Sequence, residues 1–276
     1  MPAPLLTIIT VVLNGETEIA QTIKSVRSQT FRDFEHLIID GKSSDRTIKI
    51  AESLSYENLE ITSQKDTGIY DAMNTGIDHG KGDFCLFLNC GDILPSEETL
   101  ERMVAKIEEK EVAVFGSVRI KSSAGSWYYP PLETVGFHRE FLPHHQSVLY
   151  PRSFLNRNKY DLDFKIQADI DFTTRLKREY EIRYLNELLV VSTLGGTTVA
   201  IFPYFEKAMK LAAELVSIKI KIDGQISSFG KLKIYTNQFL KHGICKFLGT
   251  NSLFRTMRWS GKRALARSTY NETLSP

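Results

Sequence analysis

Polar residues able to do chemistry cluster where apolar runs of this chain stop. The run "CLFLNCGDIL", Cys85 to Leu94, ends on Asn89, Cys90, Gly91 and Asp92: one amide, one thiol and one carboxylate. That set is poor for most metal sites and too polar for a plain turn. Asn14 closes "LLTIITVVL", and Asp40 opens the polar stretch of "LIIDGKSSDRT". Lys65, Asp66, Asp71 and Asn74 fall in "QKDTGIYDAMNTG", with Asp71 and Asn74 three apart, on one face of a helix. Further along, "PHHQSVLYP" supplies His144, His145 and Gln146, and "IQADIDF" supplies Asp169 and Asp171. Carboxylates, amides and a lysine gathered together suit a ligand with many oxygens and N–H groups, and a carboxylate held near a hydroxyl can take its proton. Each residue also has a plainer reading, as a helix cap, a dipole-stabilised N-terminal acid or a solvated helix face.

What positions them is an alternation of strand and helix. "LLTIITVVL" reads as a strand, Thr17 to Gln29 as a helix with Ile19, Ile23 and Val26 on one face, and "EHLIIDG" as a second strand. A helix over "SSDRTIKIAESL", capped by Ser43 or Ser44, leads to a third strand in "LEITSQ". Tyr70 to Asp78 is predicted helical, "DFCLFLN" a fourth strand and Glu97 to Glu108 another helix. The fold class expected is α/β, with a mixed, mostly parallel sheet covered on both faces, and the strand ends share one edge where ligands bind. From Val112 the pattern turns antiparallel: "VAVFGSVRI", "SWYYP" and "HHQSVLYP" read as strands, "IQADIDFTTRLKREY" as an amphipathic helix and "IRYLNELLVVSTL" as one or two strands. In a strand, His144 and His145 face opposite ways, so at most one reaches the site. Helices follow from Tyr204, the second over roughly Ile226 to Phe247.

Composition is that of a globular protein, 42% hydrophobic and 25% charged over 276 residues, with a net charge of +2 that argues against a nucleic-acid binder. Cys85, Cys90 and Cys245 have neither disulfide nor zinc spacing and suit a reducing, cytoplasmic setting. The apolar N-terminus lacks a basic leader and reads as strand, and no run is long enough to span a bilayer.

Taken in order, "TIITVVLNGETEIAQTIKSVRSQTF", "LIIDGKSSDRT" and "KDTGIYDAMNTGIDHGKGDFCLFLNCGD" resemble the family-2 glycosyltransferases, in particular the bacterial enzymes that build exopolysaccharide, capsule and O-antigen. The resemblance is strong from Met1 to about Leu94 and fainter through Asp169. It implies the nucleotide-diphospho-sugar transferase (glycosyltransferase A) fold, with a catalytic domain over 1–200 (nucleotide-sugar half 1–94, acceptor and catalytic half 95–200) and a helical extension over 201–276. It also implies a nucleotide-diphosphate sugar donor, UDP-linked by default, a saccharide or lipid-linked acceptor, and inversion at the anomeric carbon. Asn14, Asp40, Lys65, Asp66, Asp71, Asn74 and Asn89 then bind the donor, Asp40 accepting an N–H of the base and Lys65 facing phosphate. Asp169 takes the place of the base, with Ala168 where the family often has Glu. His144, His145 and Gln146 are acceptor candidates. The family's D-x-D pair holds Mg²⁺ or Mn²⁺ on the diphosphate, neutralising the leaving group. Here Asn89 replaces the first Asp and Gly91 the second, leaving Asp92 as the carboxylate for the metal, Asn89 as a neutral helper, and Cys90 turned to the core.

From Gly224 to Asn271 there is no Asp or Glu, while Lys231, Lys233, Lys241, Lys246, Arg255, Arg258, Lys262, Arg263 and Arg267 all occur there among aromatic and aliphatic residues. Such a basic amphipathic segment suits peripheral attachment to the inner face of a membrane, a second subunit, or a solvated face. Two other function classes compete. One is a sugar-nucleotide binding protein impaired in catalysis, suggested by the missing acid at Asn89. The other is a dinucleotide-dependent oxidoreductase, opposed by "LNGETE" where G-x-G-x-x-G belongs.

Overall fold

The computed structural model of the chain describes residues 3–107, 112–122, 125–129, 142–193, 205–228 and 230–236. Two compact units are distinguished: residues 1–119 with 142–192, and residues 120–141 with 193–276.

The first unit is built on its sheet. Strands β1 (Leu6–Val12), β2 (Phe34–Asp40), β3 (Leu59–Ser63) and β4 (Phe84–Phe87) are parallel, with β1 between β2 and β4. The antiparallel strand β7 (Val148–Pro151) lies beside β4, and β5 (Val112–Ser122) lies beside β7. β8 (Glu181–Thr193) pairs with β5. Every residue of β1 and β4 is buried, as a strand covered on both faces requires. Ile8, Ile9, Ile38, Phe84, Leu86 and Phe87 are wholly enclosed. Helix α1 (Ile19–Arg27) contributes Ile19, Thr22, Ile23 and Val26 to this core, on the face its apolar spacing predicts. Helices α2 (Thr47–Ser53), α3 (Ile69–His79) and α4 (Thr99–Val104) return the chain between parallel strands or follow β4. A short helix α5 (Arg152–Leu155) and helix α6 (Ala168–Glu179) separate β7 from β8.

Register aligns the strand ends. Val12 pairs with Asp40, and Asp40 with Ser63. The Cys90 N–H donates to Val11 O (3.3 Å), bringing the end of β4 level with them. One chain of hydrogen bonds crosses this sheet in its interior: buried His36 stands 2.9 Å from Tyr56 Oη through Nδ1 and 2.9 Å from Thr10 Oγ1 through Nε2, and the Thr10 hydroxyl donates to Leu88 O (2.8 Å). Burial lowers the His36 pKa to about 3, so the ring stays neutral and carries its one N–H within this chain.

Local chemistry differs from expectation in two places. The Ser43 and Ser44 hydroxyls do not cap α2. Asp45 Oδ1 accepts the Thr47 N–H (3.0 Å) and the Thr47 hydroxyl instead, while Ser43 Oγ accepts the Asn14 N–H at 2.7 Å. "HHQS" is not a strand. His144 is extended, but His145–Ser147 form a 3₁₀ turn before β7, and the His144 and His145 rings stack with centroids 5.6 Å apart. The alternation that would have turned one imidazole away does not apply to a turn. In the second unit the described elements are β6 (Gly125–Tyr129), helix α7 (Phe205–Asp223) and a helical stretch at 230–236. Most of the basic segment expected to contact a membrane lies outside the described residues.

Candidate active site

At the edge formed by β1, β2 and β3, backbone loops and side chains hold one another. Asn14, at φ 52°, accepts the Ser44 N–H (2.8 Å) on Oδ1. Asp40 is wholly buried, and its carboxylate accepts the Lys42 N–H (3.1 Å), the Ser43 N–H (3.1 Å) and the Ser63 hydroxyl (2.6 Å). Asp40 therefore shapes the loop after β2. Asp66 Oδ2 would lie 2.5 Å from a Cβ at Gly41, so only glycine lets this carboxylate sit over the end of β2. Asp66 Oδ1 accepts the Gly68 N–H (2.9 Å), and Lys65 stands exposed beside it.

Helix α3 starts at Gly68 (φ 139°), and Asp71 steadies that start by accepting the Thr67 N–H (2.9 Å) and hydroxyl (2.8 Å). Asn74 ties α3 to the segment before α6. Its Nδ2 donates to Tyr160 O (3.0 Å), and its Oδ1 accepts the Tyr160 N–H (2.8 Å). Both amide atoms are thus engaged in positioning. Tyr70, one turn before Asn74, contacts the same segment: its hydroxyl lies 2.8 Å from Ile166 O and 3.0 Å from Asp169 Oδ1. Its ring stacks on Tyr160 at 5.4 Å, and Tyr160 stacks on Phe172 at 4.1 Å. Tyr70 falls in the polar stretch after the third strand but was given no task there, and Tyr160 escaped the sequence reading because an isolated aromatic residue reads as core. The i, i+4 pairing of Tyr70 with Asn74 was the available signal.

At β4, Asp92 is 4% exposed, and burial raises its pKa to about 7, against the pull of the Ser192 side chain, the Asn89 backbone and the Gln146 side chain. The Gln146 amide donates to Asp92 Oδ2. Asn89 Oδ1 is buried without a hydrogen-bond partner. Gly91, where a second acid would complete D-x-D, has φ 95°, a conformation that a carboxylate-bearing residue rarely adopts. Cys90 packs against the core cluster around Val12 and Ile19, although it lies in the turn after β4 and not in the strand, and burial first, then Glu18, Asp92 and Asp45, push its thiol up to about 12.

The 3₁₀ turn joins this end to Asp169. Gln146 reaches Asp92, while His144 lies close enough to Asp169 for the charge of either to bear on the proton affinity of the other. Burial lowers both histidines to about 4, with His145 adding to the effect on His144 and Asp169 opposing it. Both Nδ1 atoms are buried without a partner. Asp169 lies in the first turn of α6, partly exposed, and its pKa is raised by burial, against His144, the Tyr70 hydroxyl and nearby backbone N–H groups. Asp171 is 0% exposed and paired with Arg175 (2.8 Å), which takes it out of the contest for the role of base. A carboxylate with raised proton affinity thus stands beside the neutral imidazole of His144.

The sequence profile described as "Glycosyl transferase family 2" matches residues 7–182. The chain belongs to glycosyltransferase family 2. This glycosyltransferase is 35% identical over 182 residues, 63% of its length and 70% of the relative's, to the "PGL/p-HBAD biosynthesis glycosyltransferase" of Mycobacterium bovis BCG. It shares its fold with S. aureus TarS 1-349 solved with UDP-GlcNAc (TM-score 0.62, 19% identity, 90% of this chain and 73% of that one). It also shares it with the mannosyltransferase PcManGT of Pyrobaculum calidifontis solved with GDP-Man and Mn²⁺ (TM-score 0.61, 15% identity, 99% and 82%). The glycosyltransferase A fold expected from the motifs is the fold observed.

Proposed function

We propose that this glycosyltransferase moves a sugar from a nucleoside-diphosphate sugar, by default a UDP-sugar, to a hydroxyl of a saccharide or lipid-linked acceptor in surface-polysaccharide assembly. The observation that carries the reading is the continuity from Asp92 through Gln146 and the 3₁₀ turn to His144 and Asp169, which sets a carboxylate of raised proton affinity beside the strand edge. The names and bound donors of the similar proteins support the substrate class.

The reaction is a single inverting displacement. The acceptor hydroxyl forms its bond to the anomeric carbon and gives its proton to Asp169. The bond from that carbon to the phosphate oxygen breaks, and the nucleoside diphosphate keeps the electron pair. Asn14, Asp40, Lys65, Asp66 and Asp71 line or shape the donor side, and His144, His145 and Gln146 the acceptor side. Among the described residues no three His, Cys, Asp or Glu side chains gather as a metal cluster. The donor set nonetheless suits one ion: the Asp92 carboxylate and the unpartnered Asn89 oxygen are hard ligands that would hold Mg²⁺ or Mn²⁺ against the donor diphosphate. When bound, the ion supplies charge neutralisation for the departing diphosphate.

The catalytic domain is taken as 1–200 and the extension as 201–276, in a cytoplasmic enzyme attached peripherally to the inner membrane face. No helix among the described residues is long and apolar enough to cross a membrane. Full-length protein should float with anionic vesicles, and a form ending at Gly230 should not; equal flotation of both removes the attachment.

Melting temperatures with UDP, GDP and their sugars, each with and without Mn²⁺, test the donor side. One nucleotide should raise Tm, and raise it further with Mn²⁺, in proportion to RT ln(1 + [L]/Kd). No response to any nucleotide ends the donor assignment. Because an amide stands where the first acid belongs, a second reading is donor binding without catalysis; binding with neither transfer nor slow hydrolysis would establish it.

A further inference from the structure

The Tyr70 hydroxyl carries one proton and faces two acceptors, Ile166 O at 2.8 Å and Asp169 Oδ1 at 3.0 Å. It cannot donate fully to both. Two arrangements use the same heavy atoms. With Asp169 ionised, Tyr70 donates to the carboxylate. With Asp169 protonated, the carboxyl donates to Tyr70 Oη, and Tyr70 donates to Ile166 O.

We propose that Tyr70 is a positioning residue that holds Asp169 in one geometry through both of its protonation states, by turning its O–H between the carboxylate and the Ile166 carbonyl. The inference rests on Asp169 being the base. A base must begin ionised and end protonated, and a support serving only one state would let the carboxylate swing as the acceptor proton arrives. Here the partner exchanges donor and acceptor roles without displacement.

The surroundings fix the phenol for this task. Tyr70 stacks on Tyr160, which stacks on Phe172 of α6, the helix that bears Asp169. Asn74, one turn on, binds both backbone polar groups of Tyr160. Helix α3, which begins directly after the Asp66 loop of the donor side, thus reaches the base through Tyr70 and holds the backbone of Tyr160 through Asn74. The titratable groups facing Asp169 are His144 from the segment before the 3₁₀ turn, Tyr70 from α3, Tyr150 from β7 and Tyr160 from the segment before α6. Arg175, on α6 itself, is engaged by Asp171, Asn158 and the Lys159 carbonyl. Of these groups Tyr70 has the hydroxyl within hydrogen-bond distance of the carboxylate.

The test compares full-length wild type, Tyr70→Phe, Asp169→Asn, and protein with 3-fluorotyrosine at position 70, in transfer from the donor found by thermal shift. Phe keeps the stacked ring and removes the hydroxyl. It should lower kcat about tenfold with donor KM unchanged. The acidic limb of kcat/KM should move up by about one pH unit, because the ionised carboxylate loses a donor. The more acidic fluorophenol is a stronger donor and should move the limb the other way. Opposite shifts with unchanged donor KM support the assignment. An unmoved limb in both proteins, or a loss of kcat/KM carried by donor KM and a lower Tm, overturns it and leaves Tyr70 a packing residue. Asp169→Asn separates the premise: if that variant still transfers, the base is misassigned whatever Tyr70 does.

Discussion

Asp169→Asn is expected to lose about a thousandfold in transfer while binding the nucleotide sugar as tightly as the wild type, since a positioned general base contributes about 10²–10⁴. The amide keeps the shape of the acid and can still accept from the Tyr70 hydroxyl, 3.0 Å from Oδ1 in the wild type. What it cannot do is take a proton from the acceptor. Single-turnover transfer and nucleotide-sugar binding, measured on the same preparation, separate these effects. The loss should appear in kcat and not in donor Kd, because donor and base lie on different elements: the strand-end loops after β1 to β3 on one side, the first turn of α6 on the other. Asp171 offers no rescue. It is fully enclosed and bound to Arg175 at 2.8 Å, so neutralising Asp169 does not bring it to the acceptor. Near-normal transfer by the variant would place the base elsewhere, with His144 the remaining group beside Asp169.

Why the donor side was legible and the acceptor side was not comes down to periodicity. Runs such as "TIITVV" and "EHLIID" are β-branched and continuous, which only a strand covered on both faces uses, and parallel strands must end on a common edge. Placing Asn14, Asp40, Asp66 and Asn89 along that edge followed from the order of the runs alone, and the register confirms it. Individual tasks at that edge were less visible, because a carboxylate that folds its own loop and one that meets a ligand have the same sequence neighbourhood. Asp40, with three donors from its own and the adjacent strand's ends, is a case in point.

"HHQSVLYP" shows the other limit. Its apolar half is strand β7, and extending the strand backward over His145 to Ser147 was the natural reading. Backbone bonding decides otherwise: the Ser147 N–H turns back to His144 O (2.9 Å), and the Ser147 hydroxyl donates to Gly116 O (2.9 Å). This is the tertiary context that overrides a local period. The turn lets His144, His145 and Gln146 serve one region, with Gln146 directed to Asp92. Likewise the aromatic brace of Tyr70, Tyr160 and Phe172 joins residues about a hundred positions apart, and no local pattern announces such a stack.

Asp92 carries the second large expected effect, and its sign is opposite for stability and for catalysis. Burial lifts its folded pKa to about 7 from an ordinary 3.8, so folding favours the protonated acid. A group whose pKa is raised on folding stabilises the native state fully below the unfolded value, and that contribution fades as pH climbs to the folded one. Between about pH 4 and 7 the wild type therefore loses up to about 4 kcal/mol at this residue, from 1.36 kcal/mol per pKa unit. Asparagine is isosteric with the protonated acid and has no charge to bury. At pH 8, without nucleotide or metal, Asp92→Asn should melt roughly 5 °C or more above the wild type, and the gap should close as pH falls toward 4. The buried histidines, His36, His144 and His145, favour the neutral form and destabilise both proteins alike below pH about 6.5, so the difference between proteins isolates Asp92. Adding Mn²⁺ with the nucleotide should invert the order. A cation beside an ionised Asp92 relieves the burial of its charge, so the wild type gains stability that an amide cannot match, and the variant loses most of its metal-dependent transfer. A variant no more stable at pH 8 than at pH 4, relative to wild type, would mean that Asp92 is not held against its charge; equal Mn²⁺ responses would remove it from the metal. The two outcomes together describe a site residue kept at the expense of the apo fold, because its buried charge is of use only once a cation and diphosphate share the pocket.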